Sequence, residues 1–325
     1  MTGWAHRNGQ RTIARLPNRQ RGVALLTAML IMALTAIITT NMIAQMNISL
    51  HRSGNVWNSQ QAWWYGVGIE NWVGAKLRLD SENSKIDSLD EQWAQNVDYL
   101  PIDGGSISGR LLDLQGRFNI NNLALGDAEA QLAQFQRLIE IVTGSDAITA
   151  QTIADSAKDW VDADLEPTLP AGAEDDYYLG RNPAYRTANA LMVSPSELQL
   201  VQGVTPRIYN QLLPYISTLP EATGINVDTA PGPVLESLGE NLPTGTGTQL
   251  EAIRDKEPWK SVDEFLQSGP MAGQDINASR LEVITHYFLV TGTIQVGTSQ
   301  TQFYAVLKRA DNGVTEVVRH SVNAY

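Results

Sequence analysis

The chain has 325 residues, 43% of them hydrophobic, so it can bury a genuine core and is not a disordered tail. Its 35 acidic side chains outnumber 23 basic ones, and the net charge of −12 argues against a polyanionic partner such as nucleic acid and for apolar surfaces or cations. The absence of cysteine excludes disulfides, thiol catalysis and thiolate metal sites, so any metal would be bound through oxygen.

Residues 1–22 carry Arg7, Arg11, Arg15, Arg19 and Arg21 and no acid. Val23 then opens 28 residues, to Leu50, without an ionisable side chain. At about 1.5 Å per helical residue, 23–44 alone spans roughly 33 Å, enough to cross a hydrocarbon core of about 30 Å. One transmembrane helix is therefore predicted, with the basic end cytoplasmic and the bulk of the chain outside the cytoplasm. A secretory signal has its small-residue cleavage site after the apolar run, whereas here Gly22 precedes it. That order resembles a prepilin leader, cut between Gly22 and Val23 so that the apolar helix stays on the mature protein; an uncleaved signal anchor is the alternative. Loss of five arginines would leave 18 basic against 35 acidic side chains, a charge near −17.

The helix is expected to continue to about Leu79. Trp57, Trp64, Gly68 and Trp72 recur at helical spacing and predict one face, read as core. Gly66 and Gly68 each cost about 1 kcal/mol in a helix and suggest a close approach there. Short strands follow over 106–113 and 116–120. Residues 124–282 read as a mostly helical block: 128–142 has Leu132, Phe135, Leu138, Ile139 and Val142 on one face, and Ser145 can cap a second helix to about Trp160. Ser194–Glu197 and Ser261–Glu264 read as capping boxes, and Thr205-Pro206 and Asp228 before Pro231 as further helix starts. The last residues return to strand, over 287–296, 301–308 and 314–322, a meander. Three short strands alone bury little, so the pattern predicts one α+β domain, formed by 45–123 and 283–325, with a large mostly α-helical insertion at 124–282.

Several segments together are similar to the minor pseudopilin K family of the bacterial type II secretion system: Arg21-Gly22-Val23-Ala24-Leu25-Leu26, 60–65, 113–123, 159–164, 172–176, 212–215 and 225–231. The resemblance covers nearly the whole chain. It implies a type IV pilin-like fold, a long N-terminal helix on an antiparallel sheet with an α-domain inserted between strands. It also implies a structural, initiating subunit in the inner membrane, seated with other minor pseudopilins at the tip of a periplasmic filament above the major pseudopilin, serving export of folded proteins across the outer membrane. Processing by a prepilin peptidase and methylation of Val23 are implied in the same way. The fifth residue after the cleavage point is Thr27, where pilin-like subunits usually carry a glutamate that pairs with a neighbour's N-terminal ammonium. Thr27 cannot supply that charge, which is tolerable where nothing stacks above.

In the insertion, Asp162, Asp164, Glu174, Asp175 and Asp176 crowd five carboxylates into fifteen residues, with Asp159 and Glu166 nearby and Lys158 as the local cation. If the loop folds back, these charges repel unless an ion neutralises them. Ca²⁺, which takes six to eight hard oxygens, suits such a set, and the resemblance points the same way. The spacing is not that of an EF-hand, and a solvated acidic loop is the alternative. Residues 198–216 and 225–230 also resemble helix-hairpin-helix units, which would make a membrane-tethered DNA receptor. Residues 194–270 hold four basic and ten acidic side chains, a poor match for phosphate. A calcium-dependent hydrolase is weaker still: His6, His51, His286 and His320 show no metal spacing, and no nucleophile motif is present.

Overall fold

The computed structural model describes residues 19–323, with side chains from Gly22 to Asn323; most of the leader, 1–18, lies outside the described residues. The first element, α1 (Arg19–Asn83), runs four residues beyond the expected Leu79. The chain divides into two compact units, one ending at Ser59 and the other beginning at Gln60.

In the N-terminal unit, the helical residues from Gly22 to Leu50 are all exposed, and the helix is long and apolar enough to cross a membrane. Its polar residues are made compatible with lipid inside the helix itself. Thr35, Thr39 and Thr40 hydroxyls donate to the carbonyls of Ile31, Thr35 and Ala36 at 3.0, 2.8 and 2.8 Å. The protons of these three hydroxyls are thus satisfied without water.

The second unit begins with the rest of α1. Ala62, Gly66, Val73 and Leu77, at spacings of four, seven and four, are buried with Ile69 half-buried between them. They lie against Phe288, Val290, Ile294, Phe303, Ala305 and Leu307 of the sheet. This corrects the expected core face. Trp57, Trp64 and Trp72 are 69%, 71% and 49% exposed. The sheet instead meets the face with small residues, because a Cβ on Gly66 would overlap the Phe303 ring and one on Gly74 the Thr315 hydroxyl. Gly68 has open space around it, so only Gly66 of the expected pair marks a close approach.

The sheet comprises β1 (Val97–Ile102), β2 (Gly105–Asp113), β7 (Tyr287–Val296), β8 (Ser299–Arg309) and β9 (Thr315–Val322), in that spatial order and antiparallel throughout. The expected C-terminal meander is β7–β9. Strand β1 had no sequence signal: its burial pattern lacks alternation, and Pro101 is tolerated because the strand lies at an edge. Strands β2 and β7 are direct neighbours, Leu111 opposite Val290, so everything from Leu114 to His286 is inserted between two adjacent strands.

That insertion contains β3 (Phe118–Asn119), α2 (Ala128–Thr143), α3 (Ala147–Val161), α4 (Asp175–Leu179), α5 (Pro206–Leu212), β4 (Ile216–Ser217), β5 (Ile225–Asn226), α6 (Gly232–Glu236), α7 (Thr246–Arg254), α8 (Val262–Gln267) and β6 (Leu281–Glu282). It has its own core, in which Phe118 stacks on Phe135 at 5.0 Å and, of the expected face of α2, Phe135, Leu138 and Ile139 are buried with Leu132 and Val142 half-buried against them. The capping box at Ser194 and the cap at Thr205 form as expected, and Ser261 caps α8 without completing its box, because Glu264 Oε2 accepts from Lys260 N at 2.8 Å. Three expectations fail locally. Asp146, not Ser145, caps α3, accepting from Thr149 N at 3.0 Å, because its carboxylate is one residue closer to the first turn. Asp228 starts no helix; its Oδ1 accepts from Trp259 N at 2.9 Å and α6 begins at Gly232.

The third failure is the strand expected over 116–120. Only Phe118 and Asn119 are extended, and they pair in parallel with β4 rather than with β2. Side chains replace the ladder here. Asn121 Nδ2 donates to the carbonyls of Met192 and Leu219 at 3.0 and 2.9 Å, Asn119 Oδ1 accepts from Leu219 N at 2.9 Å, and Asn122 Nδ2 donates to Thr223 O at 2.9 Å. All three asparagines are buried and satisfied, as buried amides must be.

Candidate metal centre

The helix α3 carries aspartates on one face at Asp155 and Asp159, and Asp162 follows as its C-cap. Each is three or four residues from the next, so all three point along the same side, towards the loop that follows. The loop folds back on this face. Thr168 N donates to Asp159 Oδ1 at 2.9 Å and Ala171 N to Asp155 Oδ2 at 3.3 Å. A Cβ on Gly172 would overlap Asp159 Oδ2 and sit 2.6 Å from Thr168 O, so the return requires glycine.

The fold-back brings one carboxylate oxygen each from Asp162, Asp164 and Glu174 within 4.8 Å of one another. Glu174 is 6% exposed and Asp159 fully buried. Asp159 Oδ2, Asp162 Oδ1 and both oxygens of Glu174 are buried with no hydrogen-bonding partner among the described residues. An orphaned, buried carboxylate oxygen costs several kcal/mol unless a cation meets it. One nearby cation offsets this only in part: Lys158 Nζ donates to Thr168 Oγ1 at 3.0 Å and is 3.8 Å from Asp162 Oδ2, not from the orphaned oxygens.

Burial shifts the carboxyls of this cluster towards their neutral form. Burial, with Asp164 and Asp159 adding and Lys158 opposing, pushes Asp162 up to about 6. Burial raises Asp155 to about 6, and raises Asp159 and Glu174 as well. The C-terminal carbonyl end of α3 adds further negative potential. A hard divalent cation fits this donor set.

Of the five acidic residues singled out by sequence, Asp162, Asp164 and Glu174 meet. Asp175 and Asp176 do not. Asp175 starts α4 and turns to the following loop, accepting from Thr187 N at 3.1 Å and Arg186 Nη1 at 3.2 Å. Asp176 is exposed in the first turn of the same helix. Sequence reading underweighted Asp159 and missed Asp155; their four-residue spacing with the acidic cluster on a predicted helix was the available signal.

At the other end of the chain, Gly22 and Val23 are both helical within α1. The Thr27 hydroxyl donates to the carbonyls of Val23 and Ala24 at 3.1 and 3.0 Å, and so is spent within its own helix.

Two family models, both described as type II secretion system protein K, match residues 116–221 and 225–284. The type II secretion system protein K of Pseudomonas aeruginosa is 33% identical over 308 residues, covering 92% of each chain. The chain belongs to this family. The protein K of Aeromonas hydrophila is 30% identical over 320 residues, 93% of this chain and 96% of the relative. A solved chain from the GspK–GspI–GspJ complex of the enterotoxigenic Escherichia coli type 2 secretion system superposes with a TM-score of 0.75 at 26% identity, over 84% of this chain and all of that one. The α+β pilin-like architecture, with its long N-terminal helix on an antiparallel sheet, is thus that of the family, a minor pseudopilin with an apolar helix fit for a single-pass anchor.

Proposed function

We propose that this chain caps and initiates a periplasmic pseudopilus, seated with other minor pseudopilins above the major one, in export of folded proteins across the outer membrane. Thr27 carries the reading. With its hydroxyl closed on Val23 and Ala24, it offers no negative charge to the N-terminal ammonium of a subunit above. The family's solved relative occurs in a complex with GspI and GspJ, which supports neighbouring minor pseudopilins as partners. The N-terminus lies in the cytoplasm and the sheet domain and insertion in the periplasm of a Gram-negative cell, after prepilin peptidase has cut between Gly22 and Val23 and Val23 has been methylated.

In the same reading Asp162, Asp164 and Glu174, with Asp159 behind them, hold a structural Ca²⁺ that closes the loop on α3. The subunit is not a catalyst, and the acidic insertion does not hold DNA. Because the chain has no cysteine, one engineered surface cysteine labels it uniquely. Imaging sheared filaments should place the label at one end. Label along the shaft, with protomers stacked beyond it, would refute the tip assignment.

A further inference from the structure

A second group of carboxylates lies in the sheet unit, remote in sequence from the insertion's acidic loop. Asp80 is in the last turns of α1, Asp87 and Glu91 lie in the connection to β1, and one oxygen from each falls within 4.8 Å of the others. The Asp87 side chain is 2% exposed. Its Oδ2 is committed, accepting from Thr285 N at 2.7 Å and from Arg309 Nη2. Its Oδ1 is buried with no hydrogen-bonding partner among the described residues. Asp80, Asp87, His286 and Arg309 line a cavity of about 270 Å³, roomy enough for an ion and its waters.

The charges do not cancel. Arg309 also reaches Asp80 Oδ2 at 3.4 Å, and the Lys76 ammonium, one turn before Asp80 on α1, donates to the Gln92 carbonyl. With Lys85 and Asp311, which also line the cavity, four carboxylates stand against three cations and leave one negative charge uncompensated, in a setting where Asp87 and Arg309 are buried. Glu91 is held in place through Oε2, which accepts from Ser88 N at 3.0 Å and from Trp93 Nε1 at 2.9 Å. That leaves Asp87 Oδ1 and the second oxygen of Glu91 outside these bonds.

We propose that Asp80, Asp87 and Glu91 form a second site for a hard divalent cation of the Ca²⁺ class, tying the end of α1 to the connection that follows it. Carboxylate oxygens supplemented by water are the donors such ions take.

Trp93, hydrogen-bonded to Glu91, makes the site visible to Tb³⁺ by energy transfer from the indole. In the full chain in detergent micelles, with the insertion's cluster silenced as D162N/D164N/E174Q, tryptophan-excited Tb³⁺ luminescence should retain one saturable component that Ca²⁺ displaces. Asp80→Asn should weaken that component at least tenfold. In parallel, native mass spectrometry of the chain with its insertion cluster intact should count one Ca²⁺ fewer in D80N than in the unsubstituted chain, which keeps the test sound should the triple variant fold poorly. An unchanged ion count in D80N, or no saturable component in a folded triple variant, would overturn the proposal. So would a D80N chain that melts higher but binds as many ions, because the carboxylates then hold a proton and not a metal.

Discussion

If the carboxylates at the end of α3 are held together for a cation, removing one charge should have opposite effects with and without it. Asp162 has one oxygen orphaned and buried, and burial pushes its carboxyl from 3.8 to about 6. A rise of that size corresponds to about 3 kcal/mol, and solvent screening of a side chain 15% exposed reduces this to about 2 kcal/mol held against the metal-free fold. In EDTA, Asp162→Asn should therefore raise stability by about 1–2 kcal/mol, or roughly 3–6 °C in Tm for a domain of this size. Saturating Ca²⁺ at about a hundred times its Kd should stabilise the unsubstituted chain by about 2.7 kcal/mol, and the variant far less. The pH dependence has a definite sign. A carboxyl whose folded pKa exceeds its unfolded one binds more protons when folded, so metal-free stability is fully present below about pH 4 for this group and is lost as pH rises through about 6. Acidification from about pH 7.5 to about 5.5 should stabilise the metal-free site while displacing the ion from the loaded one. Calorimetry of both variants in EDTA and in Ca²⁺ checks this. A D162N chain that is less stable in EDTA and still responds fully to Ca²⁺ would show that the cluster is only a solvated acidic loop.

Gly172→Ala places a methyl group against Asp159 Oδ2 and Thr168 O, and should cost about 1–3 kcal/mol by chemical denaturation while abolishing the Ca²⁺-induced rise in Tm. Gly66→Ala and Gly68→Ala form a matched pair: the first should destabilise by about 1–3 kcal/mol through Phe303, and the second should be neutral or stabilising by up to about 1 kcal/mol, in urea unfolding of the same preparation. Asn121→Ala strands the buried carbonyls of Met192 and Leu219 and should cost about 2–4 kcal/mol, read as a lowered denaturation midpoint with unchanged slope.

Much of the fold was legible because its signals are local. The charge-free run from Val23, the apolar face of α2, the caps at Ser194, Thr205 and Ser261 and the alternation in β7–β9 are each decided within a few residues. What failed depended on partners distant in sequence. Asn119 read as part of a strand ending at Ile120, yet its amide and those of Asn121 and Asn122 bind backbone some hundred residues away, near Leu219 and Thr223. The site divides in the same way. The crowding of acids was plain, but Asp175 leaves for Arg186 and Thr187 while Asp159 turns in, and a loop closure cannot be read from spacing.

The helix α1 shows why the largest residues misled. Between Gln60 and Asn83 it has two apolar faces, one with Trp64, Trp72 and Leu79 and one with Ala62, Gly66, Val73 and Leu77, and hydrophobic area alone favours burying the first. A flat sheet, however, approaches a helix most closely over small residues, and the Phe303 ring fills the notch that Gly66 leaves. The chain thus gives its tightest packing to its own sheet and leaves the tryptophans outside. Trp64→Ser removes a side chain that is 71% exposed, so it should change the unfolding free energy of the isolated chain by less than about 0.5 kcal/mol, whereas Leu77→Ala should cost about 2–5 kcal/mol. Equal destabilisation by the two substitutions would mean that the tryptophan face is covered in the isolated protein and that the assignment of the core face is wrong.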